Sequence, residues 1–304
     1  MDTSVILQQM IILFSLMAVG FLIRRLKVID AQANAYLTKL LLRVTLPATL
    51  VSAISASELE VTRSAVPVLF LVIAFSFAVI AVLSWLAPLC FRAKREERGA
   101  YTAMGLFANV NFMGIPLTWA LLGPDAMLYA ILYNIVFNLA FFSLGMKLVG
   151  GKQANLSAKL FFSPAMLASF LSVLLFMLDI QLPYVMDRSL GLLGAVTTPM
   201  AMILLGSILG AMDLGELFRG WRVYIITAVR LLIAPIVVYL ALLPFSIDPM
   251  LLTVILIMSA SPMAISTAMF TIHYDAHQEV VGKGIFLSTL FSVVTLPILL
   301  WFLL

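Results

Sequence analysis

Asn109-Val110-Asn111-Phe112-Met113-Gly114-Ile115-Pro116-Leu117 sets two carboxamides, a glycine and a proline inside an apolar run. Proline has no N–H, and its ring clashes with the carbonyl four residues back, here that of Phe112. Gly114 adds backbone freedom, and Asn109 and Asn111 offer donors and acceptors to groups that a break exposes. Ser259-Ala260-Ser261-Pro262 repeats the device and releases the Met258 carbonyl. Unwound backbone in apolar surroundings survives only where it is buried in protein or lines a wet cavity. The two stretches therefore read either as a binding site on broken helices or as packing kinks.

Three basic residues also stand inside apolar runs. Arg230 follows Gly220 by ten residues, about 15 Å along a helix. A charge at that depth costs roughly 2.5–3.5 kcal/mol to insert, so it needs a buried partner. It is either a structural clamp on the carbonyls of broken helices or a direct substrate contact. Lys39 and Arg43 are spaced i,i+4 on one helical face, where each could snorkel or, for Lys39, stand beside a substrate. His273-Tyr274-Asp275-Ala276-His277-Gln278-Glu279 gathers both histidines with two carboxylates. That spacing suits a metal, but the segment reads better as a polar turn or gate, and no metal is expected. Gly206-Ser207-Ile208-Leu209-Gly210 has the spacing of a close-packing motif.

The elements that must hold these residues are membrane spans. Of 304 residues 63% are hydrophobic and 11% charged, with a mean hydropathy of +1.15. Soluble domains carry roughly 25% charged residues, so a water-facing surface cannot be made from this chain. A soluble enzyme, a nucleic-acid binder and a secreted module are excluded. Apolar runs place ten spans near 5–23, 34–56, 64–90, 100–122, 126–149, 160–180, 188–211, 221–243, 249–271 and 284–303. No basic residue precedes the first run, which is therefore read as a retained span and not a signal peptide. Cys90 is the single cysteine, so no intrachain disulfide forms.

Loop charges set the orientation. Arg24, Arg25, Lys27, Arg92, Lys94, Arg95, Arg98, Lys147, Lys152, Lys159, Arg219, Arg222 and Lys283 fall on one side, against Arg63 and Arg188 on the other. The rich side is expected to be cytoplasmic, which puts both termini outside the cell's inner (plasma) membrane. No acidic residue falls clearly inside a span, so no intramembrane carboxylate is expected to drive transport.

Five spans per half turns the second half upside down relative to the first. Val44-Thr45-Leu46-Pro47 echoes Val196-Thr197-Thr198-Pro199, and the fourth and ninth spans each carry a proline break. Inverted repeats with paired broken helices point to a secondary transporter with its site at the midplane. The division expected is 1–152 and 153–304. Rival readings are a passive anion channel, since pores also use broken helices, and an intramembrane enzyme. The enzyme reading lacks its residues. Glu96-Glu97 has Tyr101, not arginine, four places on, and Tyr274-Asp275 has no Gly-x-Gly-Asp partner.

Asn109, Met113, Gly114, Ile115, Pro116 and Leu117 resemble the Asn-x-x-x-Met-Gly-Ile-Pro-Leu stretch of the auxin efflux carrier family. The order of Lys39 and Pro47, of Met200-Ala201-Met202 and Gly206, and of Arg230 and Pro235 also resembles it. So does that of Pro262, Tyr274, His277 and Leu296-Pro297. The resemblance implies ten helices in an inverted five-helix repeat, with broken helices 4 and 9 crossing at the substrate site. It implies a panel that moves relative to a scaffold (elevator-type alternating access) to export a small organic anion, carboxylate or auxin-like. Asn109, Asn111, Pro116, Ser261, Pro262, Lys39 and Arg230 are the candidate substrate residues. Val110 and Asn111 replace threonine and leucine, and the central connection, roughly Gly150 to Lys159, is short. The short connection resembles bacterial-type members, associated with dicarboxylates such as malonate or malate; Val110 and Asn111 make the site more polar, so the auxin part of the family name is not carried over. No cofactor is expected; the partners are the anion and the lipid bilayer, with a homodimer allowed.

The charge bias yields a first test. A C-terminal phosphatase fusion should be active in a bacterial host while a cytosolic fluorescent fusion stays dark. The reverse pattern would invert the orientation.

Overall fold

Proline shapes the helices of this chain. The computed structural model describes residues 3–56, 62–151, 163–211, 220–274 and 276–303. In it, wide i→i+5 turns occupy Leu41–Thr45, Val110–Gly114 and Val229–Ile233. Pro47, Pro116 and Pro235 follow these turns by two residues each. A proline displaces the carbonyl four residues back, and one extra residue in the turn relieves the clash without ending the helix. A fourth wide turn, Phe141–Gly145, has no proline; there the Ser143 hydroxyl donates back to the Leu139 carbonyl.

Among the described residues there is no β-strand beyond one isolated antiparallel pair, Ala108 with Met263. Seven helical stretches are long and apolar enough to cross a bilayer: Gln8–Arg25, Ala31–Ile54, Arg63–Cys90, Pro124–Gly150, Tyr184–Gly210, Trp221–Leu242 and Gln278–Leu303. Val110–Leu122, Pro164–Leu178 and Pro249–Ala260 are shorter apolar helices. Two helices begin earlier than hydropathy suggests. Tyr184–Ala195 takes Asp187 into its first turn, and Gln278–Leu303 takes in Glu279. Both carboxylates stand in first turns, at the ends of membrane-capable helices. The central connection at 152–162, Arg219 and Asp275 lie outside the described residues.

The chain forms two compact units, each discontinuous in sequence. The first comprises Met1–Phe70, Asn111–Ile135 and Phe162–Met212. Its backbone-to-backbone contact is made by glycine. A Cβ on Gly206 would fall 1.8 Å from the Met17 carbonyl oxygen, and one on Gly20 2.0 Å from that of Ile203. The Gly206–Gly210 motif is thus spent inside the unit, pressing Thr197–Gly210 against Thr3–Arg25. Buried hydroxyls join the remaining helices. Thr49 Oγ1 lies 2.7 Å from Thr197 Oγ1 and donates to the Gly194 carbonyl at 3.1 Å, and Ser172 Oγ donates to the Leu50 carbonyl at 2.9 Å. The helix breaks at Val196 because Pro199 cannot donate to the Ala195 carbonyl.

The second unit comprises Leu71–Val110, Val136–Phe161 and Asp213–Leu304. Its core is aromatic. Phe141 stacks on Phe270 at 4.5 Å and on Phe137 at 5.4 Å, and Phe107 meets Phe141 edge-on at 5.1 Å. Gly145 admits this cluster, since a Cβ there would press the Phe107 and Phe270 rings at 3.1 Å. Gly284 lets Gln278–Leu303 approach Met104 and Met263 in the same way.

The glycine contact predicts a stability difference. Gly206→Val should lower the melting temperature, with a loss of about 1–3 kcal/mol or more, because backbone must move. Gly191→Ala meets nothing within 4 Å and should leave it unchanged. Thermal unfolding of detergent-purified protein reads both.

Candidate functional site

Two half-helices end side by side in the second unit. Arg98–Leu106 stops where Phe107 turns extended, at φ −94° and ψ 112°. Pro249–Ala260 stops at Ser261, at φ −63° and ψ 146°. Pro262 causes the second stop, because the residue before a proline is driven out of the helical region. The first stop is not where Pro116 suggested. Pro116 lies in the first turn of Ile115–Leu122, and its clash is absorbed by the wide turn before it. The unwound segment is Phe107–Asn109, seven residues upstream at its near end.

The unwound segments satisfy each other. Asn109 N–H donates to the Pro262 carbonyl at 2.7 Å, and Ala264 N–H donates to that of Phe107 at 2.9 Å. These are the two rungs of the Ala108–Met263 pair. Met263 N–H donates to Ser288 Oγ at 3.0 Å. These bonds satisfy part of the unwound backbone within protein.

Arg230 holds the carbonyl ends. Its Nε donates to Ser261 O at 3.0 Å, Nη2 to Met258 O at 3.2 Å, and Nη1 to Gly105 O at 3.1 Å and Leu106 O at 3.5 Å. The residue is 0% exposed. The last carbonyls of a helix lack intrahelical partners and carry its partial negative charge. One guanidinium meets that need for two helices at once, which is the clamp geometry.

Buried polar groups near the crossing are left over among the described residues. Asn109 is 2% exposed and its Nδ2 has no hydrogen-bond partner. An amide nitrogen is donor only, so it calls for an acceptor, and leaving it unsatisfied costs about 1–3 kcal/mol. Thr267, in the first turn of Ser266–His273, is also buried with an unpartnered hydroxyl. Sequence reasoning passed over Thr267, although a hydroxyl one turn past a proline break was a usable signal.

Of the expected site residues, the structure brings Asn109, Ser261, Pro262 and Arg230 together in the second unit. Asn111, Pro116 and Lys39 belong to the first. Asn111 Oδ1 accepts from Asn134 Nδ2 at 3.0 Å, a pairing that sequence did not suggest. Pro116 is buried. Lys39 is exposed, its Nζ 5.7 Å from the centre of the Tyr36 ring. Arg43, one turn on, is exposed too. The first unit also encloses a cavity of about 300 Å³, lined by Thr49, Ser52, Trp119, Asp187 and Arg188. None of the expected site residues lines it.

Helical across its described residues, with seven stretches long and apolar enough to cross a bilayer, the chain is a multi-pass membrane protein in class. The sequence profile of the membrane transport protein family matches residues 5–300, and the chain belongs to that family, as the likeness to auxin efflux carriers indicated. A transporter of Methanothermobacter thermautotrophicus, uncharacterized by name, is 24% identical over 294 residues, 93% of each chain. An uncharacterized transporter of Methanocaldococcus jannaschii is 22% identical over 97% of each. A protein of Rhizobium meliloti, whose name proposes it as a malonate transporter, is 24% identical over 95% of this chain and 92% of its own.

Lys39 and Arg43 share a face and an exposure, so they separate a substrate role from snorkelling. Lys39→Ala should lower transport affinity or turnover severalfold in proteoliposome flux, with Arg43→Ala close to the native chain. Equal effects would assign both to the bilayer interface.

Proposed function

We propose that this protein is a carrier, not an enzyme, that exports a small organic anion by elevator-type alternating access, with a carboxylate such as malonate as substrate. The observation that carries this reading is the buried, unpartnered Nδ2 of Asn109 at the helix crossing. A carboxylate supplies the missing acceptor. The amide binds it without a fixed charge of its own, so the empty site remains tolerable in the bilayer. The N-terminal end of Ser266–His273, just past the break, adds partial positive charge to the same task. Ser261 and Pro262 shape the crossing, and Asn111, Pro116 and Lys39 are secondary candidates. The relative named for malonate transport favours a dicarboxylate.

The architecture proposed with it is ten spans in two inverted halves, 1–152 and 153–304. Both termini face outward across the inner (plasma) membrane, and the assembly is a homodimer. Several features favour the repeat. The Thr49–Thr197 hydroxyl pair joins residues 148 apart, close to half the chain. Each compact unit also draws on both halves of the sequence. The crossing, with its clamp, lies within one unit, as a panel carrying its own site requires.

Asn109→Ala should lose about tenfold to a hundredfold in malonate affinity, equivalent to roughly 1.5–3 kcal/mol for a hydrogen bond to a charged ligand. It should remain folded and monodisperse, and Asn111→Ala, whose carboxamide is already paired, should lose less. Saturable counterflow in proteoliposomes distinguishes the carrier from a channel. Native affinity in a well-folded Asn109→Ala protein would remove Asn109 from the site.

A further inference from the structure

Transporters built on broken helices use unwound carbonyls and half-helix C-termini to coordinate a coupling sodium ion or proton. The partial negative charge at such ends is what the cation neutralises. In this chain an arginine holds four of those carbonyls. Gly105 and Leu106 close one half-helix, Met258 and Ser261 close the other, and all four accept from the guanidinium of Arg230.

We propose that Arg230 is a tethered counter-cation standing in the place of a coupling ion, so that anion binding at the crossing needs no sodium or other monovalent cation. The inference rests on the carrier reading and names its ion requirement.

Three properties of the group support it. It is fully buried, and a second cation on the same carbonyls would lie within a few ångströms of a like charge in a poorly screened interior. Its donors form a rigid planar fork, so one residue bonds both helix ends, which the single ammonium of a lysine does not match. It also stays protonated at every pH the protein meets. The crossing therefore carries the guanidinium charge of Arg230 itself. Arg230 reaches this position from the wide turn Val229–Ile233, two residues ahead of Pro235. The site so built suits mono- and dicarboxylates, and disfavours cations.

The test compares sodium, potassium and N-methylglucamine chlorides at equal ionic strength, on the whole purified chain. The melting temperature of the native protein should be the same in all three, and malonate affinity in counterflow should agree within about twofold. Arg230→Ala should melt lower than the native chain and recover part of the loss on adding methylguanidinium, but not on adding choline. A sodium-dependent gain in native melting temperature would overturn the proposal, as would a tenfold gain in malonate affinity. So would a folded Arg230→Ala protein that melts like the native one or ignores methylguanidinium. If the alanine variant yields no protein, the salt comparison decides alone. Absence of malonate counterflow in every salt would count against the malonate carrier reading, while the melting experiments still read the role of Arg230.

Discussion

The arginine at the helix crossing is the interaction on which the rest of the second unit depends. Two helices stop inside the apolar core and leave carbonyls that no water can reach. Arg230 donates to four of them from a fully buried position. It thereby ties Arg98–Leu106, Pro249–Ala260 and its own helix into one body. Burying a guanidinium carries a large desolvation cost, offset only when its donors are well placed. Here four of the partners are partial charges fixed in the backbone. The pair of strand-like bonds between Phe107–Asn109 and Pro262–Ala264 can then form, because the two helix ends are already held side by side.

Around that point the chain uses proline and glycine for opposite ends. Proline removes one hydrogen bond and, in three helices, is answered by a wide turn that keeps the helix running. At Pro262, by contrast, the helix stops outright at the residue before the proline. Glycine instead lets backbones meet. Without side chains at Gly20 and Gly206, Thr3–Arg25 and Thr197–Gly210 touch main chain to main chain. In a bilayer there is no hydrophobic gain from pairing helices, and close packing of this kind supplies the attraction. The first unit is held by such contacts and by buried hydroxyls, the second by aromatic stacking and a charge.

Function enters where this accounting is incomplete. The two unwound segments pair with each other, yet the buried Asn109 Nδ2 and Thr267 Oγ1 have no partner. A family that transports solutes across membranes gives that imbalance a meaning. On the carrier reading proposed above, such unsatisfied groups in rigid surroundings are held ready for a ligand, whose acceptors would complete the set.

Composition alone determined that this is a membrane protein, because a chain so poor in charge cannot be solvated. The apolar runs located its helices, and the prolines marked where helices deform. Arg230 announced a buried partner by its depth, and a clamp on carbonyls was already among its two readings. These inferences succeed because hydropathy and proline sterics act within a few residues of the chain. Tertiary structure decided the rest. It moved the break in the fourth span from Pro116 to Phe107–Asn109, since a wide turn can absorb a proline's clash while an arginine 125 residues away stabilises an earlier stop. It tied Asn111 to Asn134, and it divided the expected site residues between two units. It also drew Asp187 into a helix. Which carbonyl finds which donor depends on segments far apart in sequence, and no local rule carries that information.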